Sequence, residues 1–571
     1  MLPHRKRRSA AASLAAAGVA IAGVAGIGVA IADRASAVPA TAEVATVGVA
    51  TGSAAAPDVA SLGAETTGTS ARHAPGGQPD ARYWRLDDIQ AQFDAWELAY
   101  PGLFHQTTIG TSGLGEPILL ARVSDNASVS EPEPAVLFHG ALHANECNGT
   151  GAILDQIETL LTGYGVDPKV TARVDGLEIW FVPILNPDGH RYVFSGADSW
   201  ADWRKTLRDN NGNGTVDFPA DGVDLNRNWD WNWQEYEEND PGSQKYKGPA
   251  PWSEPEIVAV RDFVLAERPL IVVDYHSPVT ITWTNYVFYT WLSQHGLECP
   301  DYEVNRQMAT DWAAATLTST GAPFHAIQSY DTLPKEQCWV YGNTGISAFI
   351  MEIADQCWYE GATVDSIATR VARGSTYLLD RALHGPGVRG TVTDGNTGAP
   401  IVAEVRILEM HSDDVGPRLT DETHGQFYRS TEAGSYTLEV SHPGYTTETV
   451  EVEVGSTGWT TADVALQPIA SDTGGPTGDA MGNASGNAPW FLASNPAHRG
   501  GTVRLRIPPE MPEARADLYG PDGRRVAVLG SELASGREYE LTLPTELPGG
   551  VSLVRAQSGE QEEVARVVLF E

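Results

Sequence analysis

The sequence predicts an α/β domain, a mixed central sheet flanked by helices, followed by two small all-β sandwich domains. Three observations carry that expectation. Continuous apolar runs such as "LEIWFVPIL" and "RPLIVVDYH" alternate with helical stripes through the longer first part of the 571 residues. After Gly385 the pattern turns to short alternating strands set between Gly, Asn, Asp and Pro turns. The tract "SDTGGPTGDAMGNASGNA" then separates one such β-unit from the next.

Taken in order, residues 1–37 read as an export signal. "HRKRR" is a positive start, "SAAASLAAAGVAIAGVAGIGVAIA" an apolar stretch, and Ala35-Ser36-Ala37 a small-residue cleavage site. Left uncleaved, that stretch is long enough to act as a membrane anchor. The protein is therefore expected to be secreted or held at the cell surface. Residues 38–80 form a low-complexity linker with little to bury.

The α/β domain spans residues 81–384. "LDDIQAQFDAWELAY" sets Ile89, Phe93, Trp96 and Leu98 as a helical stripe, and "EPILLARV" and "PAVLFHGAL" read as strands. "GTGAILDQIETLL" is a helix with one apolar face. "LEIWFVPIL", "RPLIVVDYH" and "GISAFIMEI" are apolar throughout, as strands buried on both faces are. Residues 387–468 form the first β-sandwich, 469–488 a flexible linker, and 489–571 the second β-unit, with strands in "GTVRLRI", "REYELTL" and "GVSLVRA".

Composition narrows the function. A hydrophobic content of 42% with 20% charged residues describes globular domains, and a formal charge of −36 argues against a nucleic-acid partner. Cys147, Cys299, Cys338 and Cys357 leave room for up to two disulfides, with three full pairings open. No cysteine pair has the spacing of a structural zinc knuckle, so metal chemistry rests on histidines and carboxylates.

"AVLFHGALHANECNGTG" places His143 and Glu146 three positions apart, just after an apolar strand. A catalytic zinc takes three protein ligands and leaves a position for water. His276, at the end of "RPLIVVDYH", is the candidate third. His139 competes with it, but lies inside the apolar run and reads as packed. Glu352, at the end of an apolar strand, is costly to bury without a partner.

Further along come "VPILNPDGH", "DWRKTLRDNN", "GVDLNRNWDWNW", "YKGPAPWSEPE" and "SYDTLPKEQCWVYGNTGISAFIMEI". In this order they resemble the zinc carboxypeptidase family (metallocarboxypeptidases, or funnelins), over roughly residues 83–383. The resemblance implies one Zn2+ held by His143, Glu146 and His276. It implies Arg204 polarising the scissile carbonyl, Asn226 and Arg227 gripping the substrate's terminal carboxylate, and Tyr330 closing over the substrate. Glu352 is implied as the general base toward a zinc-activated water. The implied substrates are peptides or proteins with a free C-terminus. A zinc amidohydrolase acting on cell-wall peptides or acylated amino acids, and a binding module with a dead catalytic domain, are the rivals.

The match departs in places. Asn145 stands where pancreatic-type members carry arginine, as in the branch with transthyretin-like domains. Cys338 stands where aspartate is frequent. Gln337 falls at the base of the pocket for the terminal side chain, where it is neither a carboxylate nor aliphatic, so the preferred terminal residue stays open. "DNNGNGTVD", residues 209–217, resembles a calcium loop, yet Ala220 occupies the twelfth position and an Asn/Gly-rich turn explains it equally well. "GTVTDGNTGAPI" and "GSYTLEVSHPGY" make residues 387–468 similar to the carboxypeptidase regulatory-like domain. "NPAHRGGTVRLRI", "LYGPDGRRV" and "LPGGVSLVRA" make the last unit similar to a C-terminal sorting domain of the type IX secretion system, an Ig-like adhesion module being the plainer reading. It would contact secretion machinery or the cell surface.

Overall fold

The computed structural model describes residues 79–469, apart from 197–201, 278–284, 291–298, 330–332 and 413, and strand segments between 491 and 570. The export segment, nearly all of both linkers and Tyr330 lie outside the described residues. Among those described, no helix is long and apolar enough to cross a membrane.

One sheet of eight strands organises the first part. In chain order they are β1 (Phe104–Thr111), β2 (Pro117–Val123), β3 (Ala135–Gly140), β4 (Glu178–Val182), β5 (Ile271–His276), β6 (Tyr286–Tyr289), β7 (His325–Gln328) and β8 (Ser347–Glu352). Their spatial order is β1-β2-β4-β3-β5-β8-β6-β7. The middle four, β4-β3-β5-β8, run parallel, whereas β2 meets β4, and β6 meets β8, antiparallel. The sheet is thus mixed, as the strand patterns predict. Every residue of β3, β4 and β5 is buried, which is why their sequences are apolar without alternation.

The helices are α1 (Leu86–Ala99), α2 (Asn148–Gly163), α3 (Pro168–Val174), α4 (Pro187–Val193), α5 (Pro255–Glu267), α6 (Tyr302–Ala315), α7 (Glu336–Thr344) and α8 (Ala362–His384). In α2, Ile153, Leu154, Ile157, Leu160 and Leu161 are buried in the main core. Each such side chain contributes about 1.5–3 kcal/mol through the water it leaves. A Cβ at Gly149 would lie 2.7 Å from that of Tyr275, so this glycine lets the start of α2 rest directly on β5. In α1 the stripe is Ile89, Phe93 and Trp96, but Leu98 is 85% exposed. Two residues beyond Trp96 is about 200° round a helix, off the buried face.

Residues 387–467 form two facing sheets. Their strands are β9 (Gly387–Asp394), β10 (Glu404–Ile407), β11 (Arg418–Leu419), β12 (Gln426–Ser430), β13 (Gly434–Ser441), β14 (Glu448–Val454), β15 (Trp459–Thr461) and β16 (Val464–Leu466). One sheet is β11-β10-β13-β14; the other is β12-β9-β15, with β16 also on β9. This unit is fastened to the α/β part by polar contacts. Arg429 pairs with Asp301 at 2.8 Å, Tyr428 donates to the Pro132 carbonyl at 2.9 Å, and the Trp459 indole donates to the Ala382 carbonyl at 3.1 Å. The described strands beyond residue 490 make a three-stranded and a five-stranded sheet. The disulfides left open by the sequence do not form: Cys147, Cys299, Cys338 and Cys357 are all thiols.

Candidate functional site

Three adjacent parallel strands end at one edge of the sheet, and their ends carry the site, as the topology of open α/β sheets favours. The chain leaves β3 through Ala141, whose φ of +49° turns it sharply, and delivers His143 and Glu146 before α2 begins. β5 ends on His276 and β8 on Glu352, which face each other in register. Pairing of β3 with β5 sets Gly140 beside Tyr275, so the His143 loop overhangs His276.

Donor atoms of His143, Glu146 and His276 all lie within 4.8 Å of one another, and all three residues are buried. Nδ1 of His143 is 3.0 Å from one Glu146 oxygen, and Nδ1 of His276 is 3.0 Å from the other. The opposite ring nitrogens are already engaged: Nε2 of His143 with Asp224 at 3.0 Å, and Nε2 of His276 with Asp274 in a short contact. With a cation in place, an Nε2–H donated outward would leave an Nδ1 lone pair beside the shared carboxylate. Lone pairs from two imidazoles and one carboxylate then converge on one point, which is the electrostatics of a cation site. Carboxylates behind metal-binding imidazoles fix ring tautomer and aim in this way. The residues therefore fit a zinc-type ion with three protein ligands.

The second group surrounds Asp224, which is fully buried. Its side chain accepts from the Asn226 N–H at 2.9 Å, capping the short 3-10 turn Leu225–Arg227. Buried Leu225 anchors that turn in the core. The other Asp224 oxygen receives Nε and Nη2 of Arg204, each at 3.3 Å. Arg204 also donates from Nη1 to Glu146 at 2.8 Å, which brings its guanidinium to the rim of the metal-type cluster. Burial pushes the Asp224 carboxyl up, but Arg204, then His143 and Arg227, hold it well below the usual range. Glu146 behaves alike: burial is overcome by the two imidazoles.

Arg227 is 9% exposed. Its guanidinium donates to the Tyr236 hydroxyl at 3.2 Å and the Asn226 carbonyl at 2.7 Å. Among the described residues, no carboxylate lies within ion-pair distance of it. A buried guanidinium held only by neutral oxygens is prepared for an anion. Glu352 has an oxygen, Oε2, shielded from water with no hydrogen-bond partner. Burial pushes its pKa up to about 8; Glu146 adds to the rise, while His276 and Arg204 oppose it.

Seven of the eight residues singled out in the sequence thus occupy one region; Tyr330 lies outside the described residues. His139 does not join the cluster and is held from the side by Glu336. Gln337 donates its amide to the Phe288 and Ala348 carbonyls at 2.8 and 3.1 Å. In residues 209–217 the carboxylate of Asp209 is turned onto the N–H groups of Gly212, Asn213 and Gly214, so the loop is closed by its own backbone. Sequence reasoning missed Asp224, Asp274 and Glu336. Asp224 had a local signal, standing two residues before Asn226 in "GVDLNRNW".

Residues 89–362 match the family model described as zinc carboxypeptidase, and residues 387–467 match the carboxypeptidase regulatory-like domain. Among curated proteins, carboxypeptidase A2 of Rattus norvegicus is 33% identical over 183 residues, which cover 32% of this chain and 41% of that protein. A zinc carboxypeptidase of Saccharothrix mutabilis subsp. capreolus is 35% identical over 151 residues, covering 26% of this chain and 33% of that one. Carboxypeptidase D of Homo sapiens is 25% identical over 428 residues, 71% of this chain and 28% of that one. The chain thus spans less than half the length of each of these relatives. A crystal structure of carboxypeptidase A from Helicoverpa armigera aligns with 53% of this chain and 73% of its own, at 20% identity and a TM-score of 0.44.

Proposed function

Starting from a chain that carries a zinc carboxypeptidase domain at residues 89–362 and a carboxypeptidase regulatory-like domain at 387–467, we propose that it removes C-terminal residues from peptides or proteins. The observation that carries this reading is buried Arg227, with no carboxylate partner among the described residues, on a turn tied through Asp224 to His143.

His143, Glu146 and His276 would hold the zinc that the family implies. When bound, zinc polarises a carbonyl and makes water more acidic at neutral pH. The other roles belong to the protein's own groups. Arg227 offers two parallel N–H donors to a terminal carboxylate, a geometry lysine lacks, with Asn226 beside it. Arg204 directs its guanidinium at the oxyanion that develops on the scissile carbonyl. With the charge of a bound zinc countering the burial that raises its pKa, Glu352 would be free to take a proton from water and return it to the leaving amine. By the resemblance alone, Tyr330 would close over the bound end. Gln337, put at the pocket floor by the resemblance alone, brings no charge of its own to select a basic terminal side chain by ion pairing.

The site of action belongs to the same proposal. The basic-then-apolar segment of residues 1–37 supports export, and the last β-unit would serve contact with secretion machinery or the cell surface.

Comparing a good peptide substrate with its C-terminal amide tests the function. Amidation removes the charge and one acceptor and leaves Arg227 desolvated and unpaired. Losing a buried charge-assisted pair costs about 2–5 kcal/mol, so kcat/KM should drop by roughly thirtyfold to several thousandfold. Arg227→Ala should impose a comparable loss on the free acid and little further loss on the amide. An amide cut as fast as the free acid would make the enzyme an amidohydrolase or endopeptidase, with Arg227 merely structural.

A further inference from the structure

Buried polar side chains of unused function lie directly behind the proposed site. His139 is fully buried on β3, directly opposite Asp274 on β5, and Glu336 opens α7. Nε2 of His139 donates to Glu336 at 2.7 Å, whereas its Nδ1 lies only at ion-pair distance, 3.4 Å, from Asp274 Oδ1, and neither of those two atoms has a hydrogen-bond partner. The other oxygen of Asp274 meets Nε2 of His276. At the far end, the Glu336 N–H donates to the Asn226 side-chain oxygen at 3.1 Å.

These contacts complete a circuit. Asn226 already reaches His143 through Asp224, and His143 reaches His276 across Glu146. The path from His276 through Asp274, His139 and Glu336 returns to Asn226. We propose that His139 and Glu336 are positioning residues, closing a buried ring that holds the terminal-carboxylate clamp at a set distance from the metal ligands. The inference rests on the function proposed above.

Two physical arguments support the ring over simple packing. Asp274 and Glu336 are 2% and 1% exposed, each has one oxygen engaged by an imidazole, and burying a carboxylate costs several kcal/mol unless it is paired in this way. Leu137, two residues before His139 and on the same face of β3, is apolar and buried, so an apolar side chain can fill this layer. Moreover, an exopeptidase must bind the chain end at one point and cut one bond away, and misplacement by about 1 Å can cost roughly a hundredfold in rate. Asn226 sits on a short turn, and a turn held on one side only can pivot. The ring holds it on two.

The test compares wild type with His139→Gln and Glu336→Gln. Glutamine at 139 removes the ring that spans the gap between the two carboxylates. Glutamine at 336 removes the charge but keeps the backbone N–H. Three quantities are read on folded protein: zinc affinity by competition with a chromophoric chelator, the KM ratio of free-acid to amidated peptide, and melting temperature. Zinc affinity should fall about tenfold in His139→Gln, and the preference for the free acid should shrink by roughly tenfold. Glu336→Gln should move both in the same direction by less. A lowered melting temperature with zinc affinity or acid preference unchanged would overturn the inference, leaving a packing role. Two zinc equivalents in wild type, falling to one in His139→Gln, would overturn it in favour of a second metal site. A wild type that binds no zinc, or that shows no acid preference, would instead overturn the function proposed above.

Discussion

Asp224→Asn tests how far one buried carboxylate organises the site. Asp224 serves three donors: the His143 ring at 3.0 Å, the Asn226 N–H at 2.9 Å and the Arg204 guanidinium at 3.3 Å. Asparagine has the same shape but only one accepting oxygen. If that oxygen keeps His143 and Asn226, its NH2 confronts the NH groups of Arg204. If it turns to Arg204, its NH2 confronts Nε2–H of His143, and the ring must change tautomer and lose the Nδ1 lone pair that points at Glu146. Either way a charge-assisted bond is lost and two donors collide. Each hydrogen bond to a charged group is worth about 1.5–3 kcal/mol, and breaking a buried pair costs about 3–5 kcal/mol. Zinc affinity should fall by about ten- to a hundredfold, read by chelator competition. kcat/KM should fall further, by about a hundredfold or more at saturating zinc, because Arg204 is no longer aimed. A variant with zinc affinity and kcat/KM within about twofold of wild type would refute the idea that Asp224 orients either group.

Three other perturbations probe separate parts of the molecule. Glu352→Gln should lower kcat by about a hundredfold or more while zinc content stays at wild-type level; near-normal kcat would place the base elsewhere. Glu256 is 1% exposed, accepts the Gly113 N–H and leaves Oε2 without a hydrogen-bond partner, and burial pushes its pKa from an ordinary 4.5 to about 7. A carboxyl raised in this way favours the protonated folded form, so its penalty grows as pH climbs through 4.5 and is complete above about 7. Glu256→Gln should thus gain stability on wild type across that window, by at most about 3 kcal/mol, in urea unfolding at pH 4 and pH 8. Equal differences at both pH values would contradict the assignment. Asp301→Asn should weaken the sandwich junction by about 3–5 kcal/mol, because Arg429 is left buried without its counter-charge. Measured per folded molecule, kcat/KM should hold; a matching loss of turnover would show that the junction shapes the site.

Much of this protein was legible from its sequence because the deciding signals are local. Runs such as "LEIWFVPIL" leave no polar face, so the strands they form must be covered on both sides, and β4 and β5 are. His276 and Glu352 stand at the ends of such strands and His143 and Glu146 just beyond one, where few side-chain types are tolerated without a chemical reason. Leu98 shows where local reading stops: an apolar residue near the stripe counts as core only if its angle matches, and the helix turns it to solvent. The cysteines make the same point, since pairing depends on distances that no spacing encodes. The ring behind the site was least legible. His139, Asp274 and Glu336 are far apart in the chain, and none of them taken alone signals the other two. The β3–β5 register sets His139 against Asp274, and the start of α7 brings Glu336 to His139 and to Asn226. Ligand chemistry is a property of a residue and its neighbours in sequence. The distance between a clamp and a metal centre is a property of strand register and helix placement, and only the folded chain sets it.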